Sequence, residues 1–329
     1  MDDILVVGAS GFVGSQVVEY LLSLGKHVTA LDLVAPPASI PLIQADITNY
    51  AALEAALAGK FYQRVFHFAS LPGDTGDPLQ MARVNVNGCL NLLETVRKMG
   101  KVSRFVVASS ISAYEWYPAT KFNPPDYLPV DENHPCRPKD MYSVTKHIQE
   151  HLVRTYYYQY GMPTTVIRLT AVVGPHGKGG GRGWRTFAEE LAGGECVRIP
   201  HLTAQELCHY VDVRDVARMF LVASEHPRAI GEIFNCCSPA PIRGREFIQI
   251  VQRIFPGIKA EVGFPWSMAQ GGEIAFDMSK AKKLLGFEPL YTMEQSIQNI
   301  KDWIDARGLE KELAAPADRA YGAGVRSKP

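Results

Sequence analysis

The sequence predicts an α/β fold: a doubly wound parallel sheet carrying a smaller, discontinuous α/β unit. Three observations lead there. Short apolar runs rich in Val, Ile and Phe alternate with longer amphipathic stretches, as βαβ units require. The first run meets a cluster of glycines just before the first helical pattern. After Pro175 the alternation breaks, and strand-like runs return only about 35 residues later.

The elements follow in order. Ile4–Val7 reads as a strand, Gly8, Gly11 and Gly14 as its turn, and the residues to about Leu24 as a helix. His27–Leu33 is the next strand, with an acid, Asp32, near its end. Further strand-like runs stand at Leu42–Ile47, Val65–Ala69, Phe105–Ala108 and Thr165–Val173, and helical stretches at Asn49–Ala58, Leu79–Met99 and Tyr142–Tyr160. Gly177–Gly183 is too glycine-dense for helix or strand and reads as a loop. A short helix at about Phe187–Ala192 precedes His209–Val213, a helix to Ser224 and a strand at Glu232–Cys237. Helical patterns at Arg243–Phe255 and Met293–Ala306 close the folded part. Residues 309–329 have no sustained apolar period and are expected to be extended or disordered. The expected division is 1–173 with 209–238 for the main sheet unit, and 174–208 with 239–308 for the smaller one.

Composition narrows the partners. In 329 residues, 34 Lys+Arg balance 34 Asp+Glu, which removes any general pull toward nucleic acid or an anionic membrane. Six cysteines (Cys89, Cys136, Cys196, Cys208, Cys236 and Cys237) form no C-x-x-C pair, in a chain large enough to bury a core without staples. Reduced thiols are expected. Met1-Asp2-Asp3 is acidic where a secretory signal is basic, and no run of ~18 apolar residues occurs. A cytoplasmic location is the expectation.

Gly8-Ala9-Ser10-Gly11-Phe12-Val13-Gly14 lies between a predicted strand and helix at the start of a βαβ unit. Glycines there let the backbone approach a pyrophosphate, and the helix start attracts its charge. The spacing departs from G-x-G-x-x-G by one residue, but Asp32 stands where an acid accepts hydrogen bonds from an adenosine ribose. That acid repels a 2′-phosphate, and no Arg or Lys lies between Ala9 and Gln16 or between Leu33 and Gln44 to attract one. NAD is therefore expected over NADP. Tyr142 and Lys146 are four residues apart on a helical pattern, about 40° around the axis from each other. A lysine ammonium that close, helped by an oxidised nicotinamide, is expected to lower the phenol's pKa and make it a proton acceptor. Ser110 ends a strand at the carboxyl edge of the sheet, where open α/β sheets bind ligands.

Taken together, these stretches resemble an extended short-chain dehydrogenase/reductase of the NAD-dependent epimerase/dehydratase family, a Rossmann-type fold. The resemblance also rests on Ala45-Asp46-Ile47, Phe66 to Ser70, Asn85-Val86-Asn87-Gly88, Ser109-Ser110, Tyr142 to Lys146, and Arg168 through Gly174-Pro175. Tyr210–Ala217 and Phe276–Lys280 through Leu285-Gly286-Phe287 fit as well, so the likeness spans about residues 3 to 306. It implies that Tyr142 takes a substrate hydroxyl proton while hydride passes to the nicotinamide. Ser110 would bond the reacting oxygen, and Lys146 would hold the nicotinamide ribose. Asp46 and Ile47 would flank the adenine, with Ala69 and Ser70 beside the phosphates and ribose. Asn85 would be mainly structural or part of a proton relay. Phe68, Ala108, Leu169, Thr170 and Val172 complete the implied cofactor set, with Thr170 also facing substrate. A homodimer through the helices at 79–99 and 142–160 is the implied assembly, and Tyr156-Tyr157-Tyr158 leaves at least one ring outside the core.

Departures from the family pattern narrow the chemistry. Ile111 and Ser112 replace the acidic pair of sugar-nucleotide dehydratases. Ala171 stands where nucleotide-sugar enzymes usually have Asn, and Cys208 where they tend to place a diphosphate-binding Arg. Those absences favour a dehydrogenase or reductase of a smaller sugar-like or hydroxyacid-like substrate. A nucleotide-sugar 4-epimerase is the second reading, with Arg182, Arg185 and Arg198 as replacement anion partners. A non-catalytic NAD-sensing or scaffold protein is a third, disfavoured because both Tyr142 and Lys146 are present. Arg182 and Arg185, in or beside the glycine-rich loop, are candidate substrate residues on a closing loop, against the alternative of a solvated surface loop. His147 and His151 are spaced for a metal but lie about 140° and 180° around from Tyr142, so surface or subunit-contact histidines are expected and no metal is assigned. Cys236-Cys237 reads as buried packing, and Glu115–Val130 as a rigid loop near the pocket mouth.

Overall fold

The computed structural model describes residues 3–71, 77–114, 125–175, 190–193, 196–199, 207–262 and 273–307. The strands in chain order are β1 (Asp3–Val7), β2 (His27–Asp32), β3 (Leu42–Gln44), β4 (Arg64–His67), β5 (Arg104–Ser110) and β6 (Thr164–Leu169). There follow β7 (Ala171–Val173), β8 (Cys196–Ile199), β9 (Leu207–Cys208), β10 (Tyr210–Asp212), β11 (Ile233–Cys236), β12 (Ile242–Arg243) and β13 (Lys259–Val262). The helices are α1 (Phe12–Ser23), α2 (Tyr50–Leu57), α3 (Pro78–Met81), α4 (Cys89–Met99) and α5 (Met141–Tyr160). Four more follow: α6 (Val213–Glu225), α7 (Gly244–Ile254), α8 (Ser279–Leu285) and α9 (Met293–Arg307).

Seven parallel strands form the main sheet in the order β3-β2-β1-β4-β5-β6-β11. The strand order reverses between β1 and β4, which leaves a crevice above their carboxyl ends. Both faces are covered, so β1 is a continuous apolar run instead of an alternating one. Ile4 and Val6 pack with Val17, Leu21 and Phe220 of α1 and α6, while Leu5 and Val7 pack with Leu53, Leu92 and Val153 of α2, α4 and α5.

Two sequence expectations need correction. Thr165–Val173 is two strands: at Thr170 the backbone N–H turns to the Cys236 carbonyl (3.2 Å), and β7 leaves the sheet to pair with β10. An unbroken apolar run cannot reveal that change of partner. The Leu79–Met99 stretch is helical but contains a widened, π-type turn at Ala82–Gly88 between α3 and α4.

A separate apolar cluster joins Phe247, Val251 and Ile254 of α7 to Ile297 and Ile300 of α9, with Val173, Val197 and Tyr210. Buried carboxylates stitch it to the main sheet unit. Asp212 accepts from Ser296 Oγ (2.7 Å), and Asp215 on α6 accepts the backbone N–H groups of Leu290 and Tyr291, each at 2.9 Å. The expected helix at Phe187–Ala192 falls mostly outside the described residues, of which 190–193 are helical. The tail at 309–329 and most of Glu115–Val130 also lie outside them.

Candidate active site

The turn after β1 needs glycine for two reasons. Gly8 has φ 84°, and a Cβ there would sit 2.5 Å from the Ala69 backbone nitrogen. A Cβ on Gly14 would collide with the Gly8 carbonyl oxygen. The turn therefore packs on itself and on the segment after β4. Gly11 begins α1 with no side-chain cap and no acid in the first turn, so the helix start is open to an anion. Phe12 and Val13 form that first turn. Asp32, at the end of β2, accepts the Ser10 N–H at 2.9 Å and the Leu33 N–H at 2.7 Å. Each carboxylate oxygen keeps a second lone pair with which it could accept from a ribose hydroxyl. A glycine cradle, an open helix start and an acid with spare acceptor capacity fit NAD.

Ser70 Oγ donates to Asn85 Oδ1 (3.0 Å), which also accepts the Leu71 N–H (2.8 Å). Asn85 Nδ2 donates to the Leu71 carbonyl (3.1 Å) and Thr145 Oγ1 (3.0 Å), so protein groups occupy the whole amide. The Asn85 carbonyl, within the widened turn, accepts from Gln149 Nε2 at 2.6 Å. Asn85 therefore clamps that helix to α5 and leaves its side chain no hydrogen bond for a cofactor. Phe68 stacks on Phe220 with ring centroids 4.4 Å apart, which turns its side chain toward α6. Ile47 is buried, and a Cβ on Gly88 would lie 2.7 Å from its Cδ1. Asp46 Oδ1 accepts the Thr48 N–H at 2.8 Å.

The catalytic candidates converge. Asp140 caps α5 by accepting the Ser143 N–H (2.9 Å), which sets Tyr142 and Lys146 in the first turns. The Tyr142 phenol is hydrogen-bonded to Ser110, whose Oγ is also linked to Ser112 Oγ at 3.0 Å. Lys146 Nζ donates to the Ala108 carbonyl (3.0 Å) and lies 5.9 Å from the centre of the Tyr142 ring. Burial pushes the Tyr142 phenol up to about 12, with the Ser110 bond opposing it. The lowering by Lys146 expected from spacing is thus absent from the protein alone, where burial is the largest influence on the phenol and the Lys146 ammonium is anchored to β5. Burial also pushes Lys146 down to about 8, against the pull of Cys89 and Glu150.

Leu169 and Thr170 close the far side, where Thr170 Oγ1 donates to the Cys236 carbonyl at 3.3 Å. Val172 is half-buried, and Cys236 and Cys237 are fully buried, as packing residues should be. Arg182 and Arg185 lie outside the described residues, and Arg198 is known here only as part of β8.

Sequence reasoning missed two features. His67, at the end of β4, is buried with neither ring nitrogen hydrogen-bonded among the described residues; burial and then Lys146 hold it neutral, down to about 3. Glu150 of α5 accepts from Ser109 Oγ (2.5 Å) and from Arg168 Nε (2.9 Å) and Nη2 (2.6 Å), directly behind Ser110. The signal was available, since Glu150 follows Tyr142 by eight residues and so lies about 80° around α5.

The model of the NAD dependent epimerase/dehydratase family matches residues 4–237. The chain belongs to that family. It is an NAD-dependent enzyme of the extended short-chain dehydrogenase/reductase type. A putative UDP-glucose 4-epimerase of Methanocaldococcus jannaschii is 28% identical over 323 residues, covering 92% of this chain and 98% of that protein. A UDP-glucuronate 4-epimerase of Thermodesulfobacterium geofontis is 29% identical over 330 residues, covering 91% and 95%. Among solved structures, the Thermus thermophilus UDP-glucose 4-epimerase in complex with NAD is 26% identical, with TM-score 0.75 over 91% of this chain and 99% of that one. No helix among the described residues of this family member is long and apolar enough to cross a membrane.

Proposed function

We propose that the enzyme moves hydride between NAD and a secondary alcohol or ketone carbon of a sugar-like or hydroxyacid-like small molecule. The observation that carries this reading is the convergence of Ser110, Tyr142 and Lys146 at the carboxyl edge of the sheet, beside the glycine turn. Bound NAD supplies the hydride acceptor and, when oxidised, a positive charge near the phenol. Ser110 Oγ orients the reacting oxygen and shares its hydrogen bond with the Tyr142 hydroxyl. Tyr142, once its own proton is lost to solvent, takes the carbinol proton and becomes the neutral phenol; Lys146, held by Ala108, would stabilise the phenolate before that transfer and would hold the nicotinamide ribose. The Asn85 clamp keeps α5 in register with the crevice, and neutral His67 adds no second cation beneath Lys146. We place the sheet unit at 1–173 with 209–238 and the substrate unit at 174–208 with 239–308. We also propose a homodimer through the helices at 79–99 and 142–160, where Leu79 of α3, Leu90 of α4, and Ile148 and Tyr158 of α5 stand exposed.

The second reading is a nucleotide-sugar 4-epimerase, and the names of the relatives at 28–29% identity favour it. Ala171 and Cys208 weigh against it by offering neither an amide nor a guanidinium to a nucleotide diphosphate. A substrate panel separates the two. Purified enzyme is mixed with NAD and sugars, hydroxyacids, UDP-glucose or UDP-glucuronate, while nicotinamide absorbance and product stereochemistry are followed. Net NADH with a small substrate supports the first reading, and inversion without NADH release supports the second. Neither outcome with any member of the panel contradicts both.

A further inference from the structure

We propose that Cys136, His147 and Glu150 form a site for a divalent d-block metal ion, zinc by preference, on the flank of α5, with Glu150 and His147 about 80° and 140° around the helix from Tyr142. One sulfur, one imidazole nitrogen and one carboxylate oxygen of these residues all lie within 4.8 Å of one another. His147 and Glu150 are one turn apart on α5, and Cys136 comes from the segment that leads into that helix.

The histidine is prepared for a ligand. Its Nε2 lies 3.1 Å from His151 Nε2, a hydrogen-bond distance between two ring nitrogens. When Nε2–H is donated to His151, the lone pair of His147 is left on Nδ1. That Nδ1 is buried, lacks a partner at hydrogen-bonding geometry, and sits 3.8 Å from Glu150 Oε2. A metal-binding histidine commonly has its second nitrogen held in this way by an outer partner. His151 is thus a positioning residue. Glu150 is fixed by Ser109 and Arg168, and Arg168 Nη2 lies 3.2 Å from Cys136 Sγ, where it can donate to a thiolate.

Charge bookkeeping agrees. A divalent ion that displaces the His147 proton and the Cys136 thiol proton leaves the local net charge unchanged. Metal–ligand bonds of about 2.0–2.3 Å in a tetrahedral site put ligand atoms roughly 3.2–3.7 Å apart. About 1 Å of side-chain adjustment from the present spread therefore closes the site. Thiolate with imidazole selects zinc or cobalt over magnesium and calcium.

The test uses the full-length enzyme, stripped with a chelator and titrated with cobalt(II) alone. The expected result is a sulfur-to-cobalt charge-transfer band that saturates at about one ion per chain and is bleached by added zinc. Cys136→Ser should abolish the band while leaving the circular dichroism unchanged. His147→Ala should weaken cobalt binding about tenfold or more. His151→Ala should also weaken it, and His151→Gln, which keeps an acceptor, should recover part of the loss. No charge-transfer band in the unmodified enzyme, or a band that survives in Cys136→Ser, would overturn the proposal.

Discussion

Burial holds the Lys146 ammonium near 8, against 10.5 for an ordinary lysine, while its Nζ is tied to the Ala108 carbonyl. The shift has a stability consequence with a definite sign. Between those two values the unfolded chain binds more protons than the folded one, so stability rises with pH across that window. Below pH 8 the buried charge costs the protein about 3 kcal/mol on this linkage. Lys146→Met removes that cost but strands the Ala108 carbonyl, at about 1–3 kcal/mol. The signature is therefore the trend: the stability of Lys146→Met relative to wild type, read from urea midpoints, should be highest below pH 8 and decline as pH approaches 10.5. A difference flat across pH would contradict the burial argument. Spacing alone brought Tyr142, Lys146 and Ser110 together because helix angle and strand end are local properties. It could not rank burial against Coulomb attraction, which is why the expected lowering of the Tyr142 phenol by Lys146 does not hold for the protein alone. His67 was illegible for the same reason, since nothing in a strand-end histidine announces that both its nitrogens are enclosed.

Among the elements, α5 combines most of the protein's tasks. One face carries Tyr142 and Lys146, another carries Glu150 against Arg168, and a third leaves Ile148 and Tyr158 exposed. The helix was legible from its amphipathic pattern, and Gly161 ends it in the left-handed conformation at φ 68°. The widened turn at Ala82–Gly88 was not legible, because a helical period cannot distinguish one extra residue in a turn from an ordinary one. Its effect is local: it presents the Asn85 carbonyl to Gln149 and fixes two helices that also share an outer surface. If that surface pairs across a two-fold axis, the unmodified enzyme should run as a dimer in sedimentation. Ile148→Glu should shift it toward monomer by burying an unpaired charge. A wild-type monomer at micromolar concentration, or an Ile148→Glu dimer of unchanged affinity, would contradict this assembly.

At the scale of the molecule, the parallel sheet with a switch point between β1 and β4 explains why residues distant in sequence share one crevice. Gly8–Gly14, Asp32, Ala69, Ser110 and Tyr142 each follow or face a strand's carboxyl end, so strand order alone gathers them. That much could be read from alternating apolar runs and a few motifs. The departure of β7 to β10 could not, because partner choice depends on Thr170 meeting the Cys236 carbonyl. Nor could the anchoring of the distal helices through Asp212 and Asp215, whose carboxylates bind groups about 75–85 residues away. Zero net charge excludes little about the crevice itself, where an open helix start and the Lys146 ammonium supply local positive potential. In the proposed function this crevice moves hydride with Tyr142 as the proton acceptor. The most direct test of that role compares wild type and Tyr142→Phe for NAD affinity and for nicotinamide reduction in a single turnover with the best substrate of the panel. That role predicts affinity unchanged within about twofold and a reduction rate lower by about 10²–10⁴; a Tyr142→Phe enzyme that reduces NAD at the wild-type rate would contradict it.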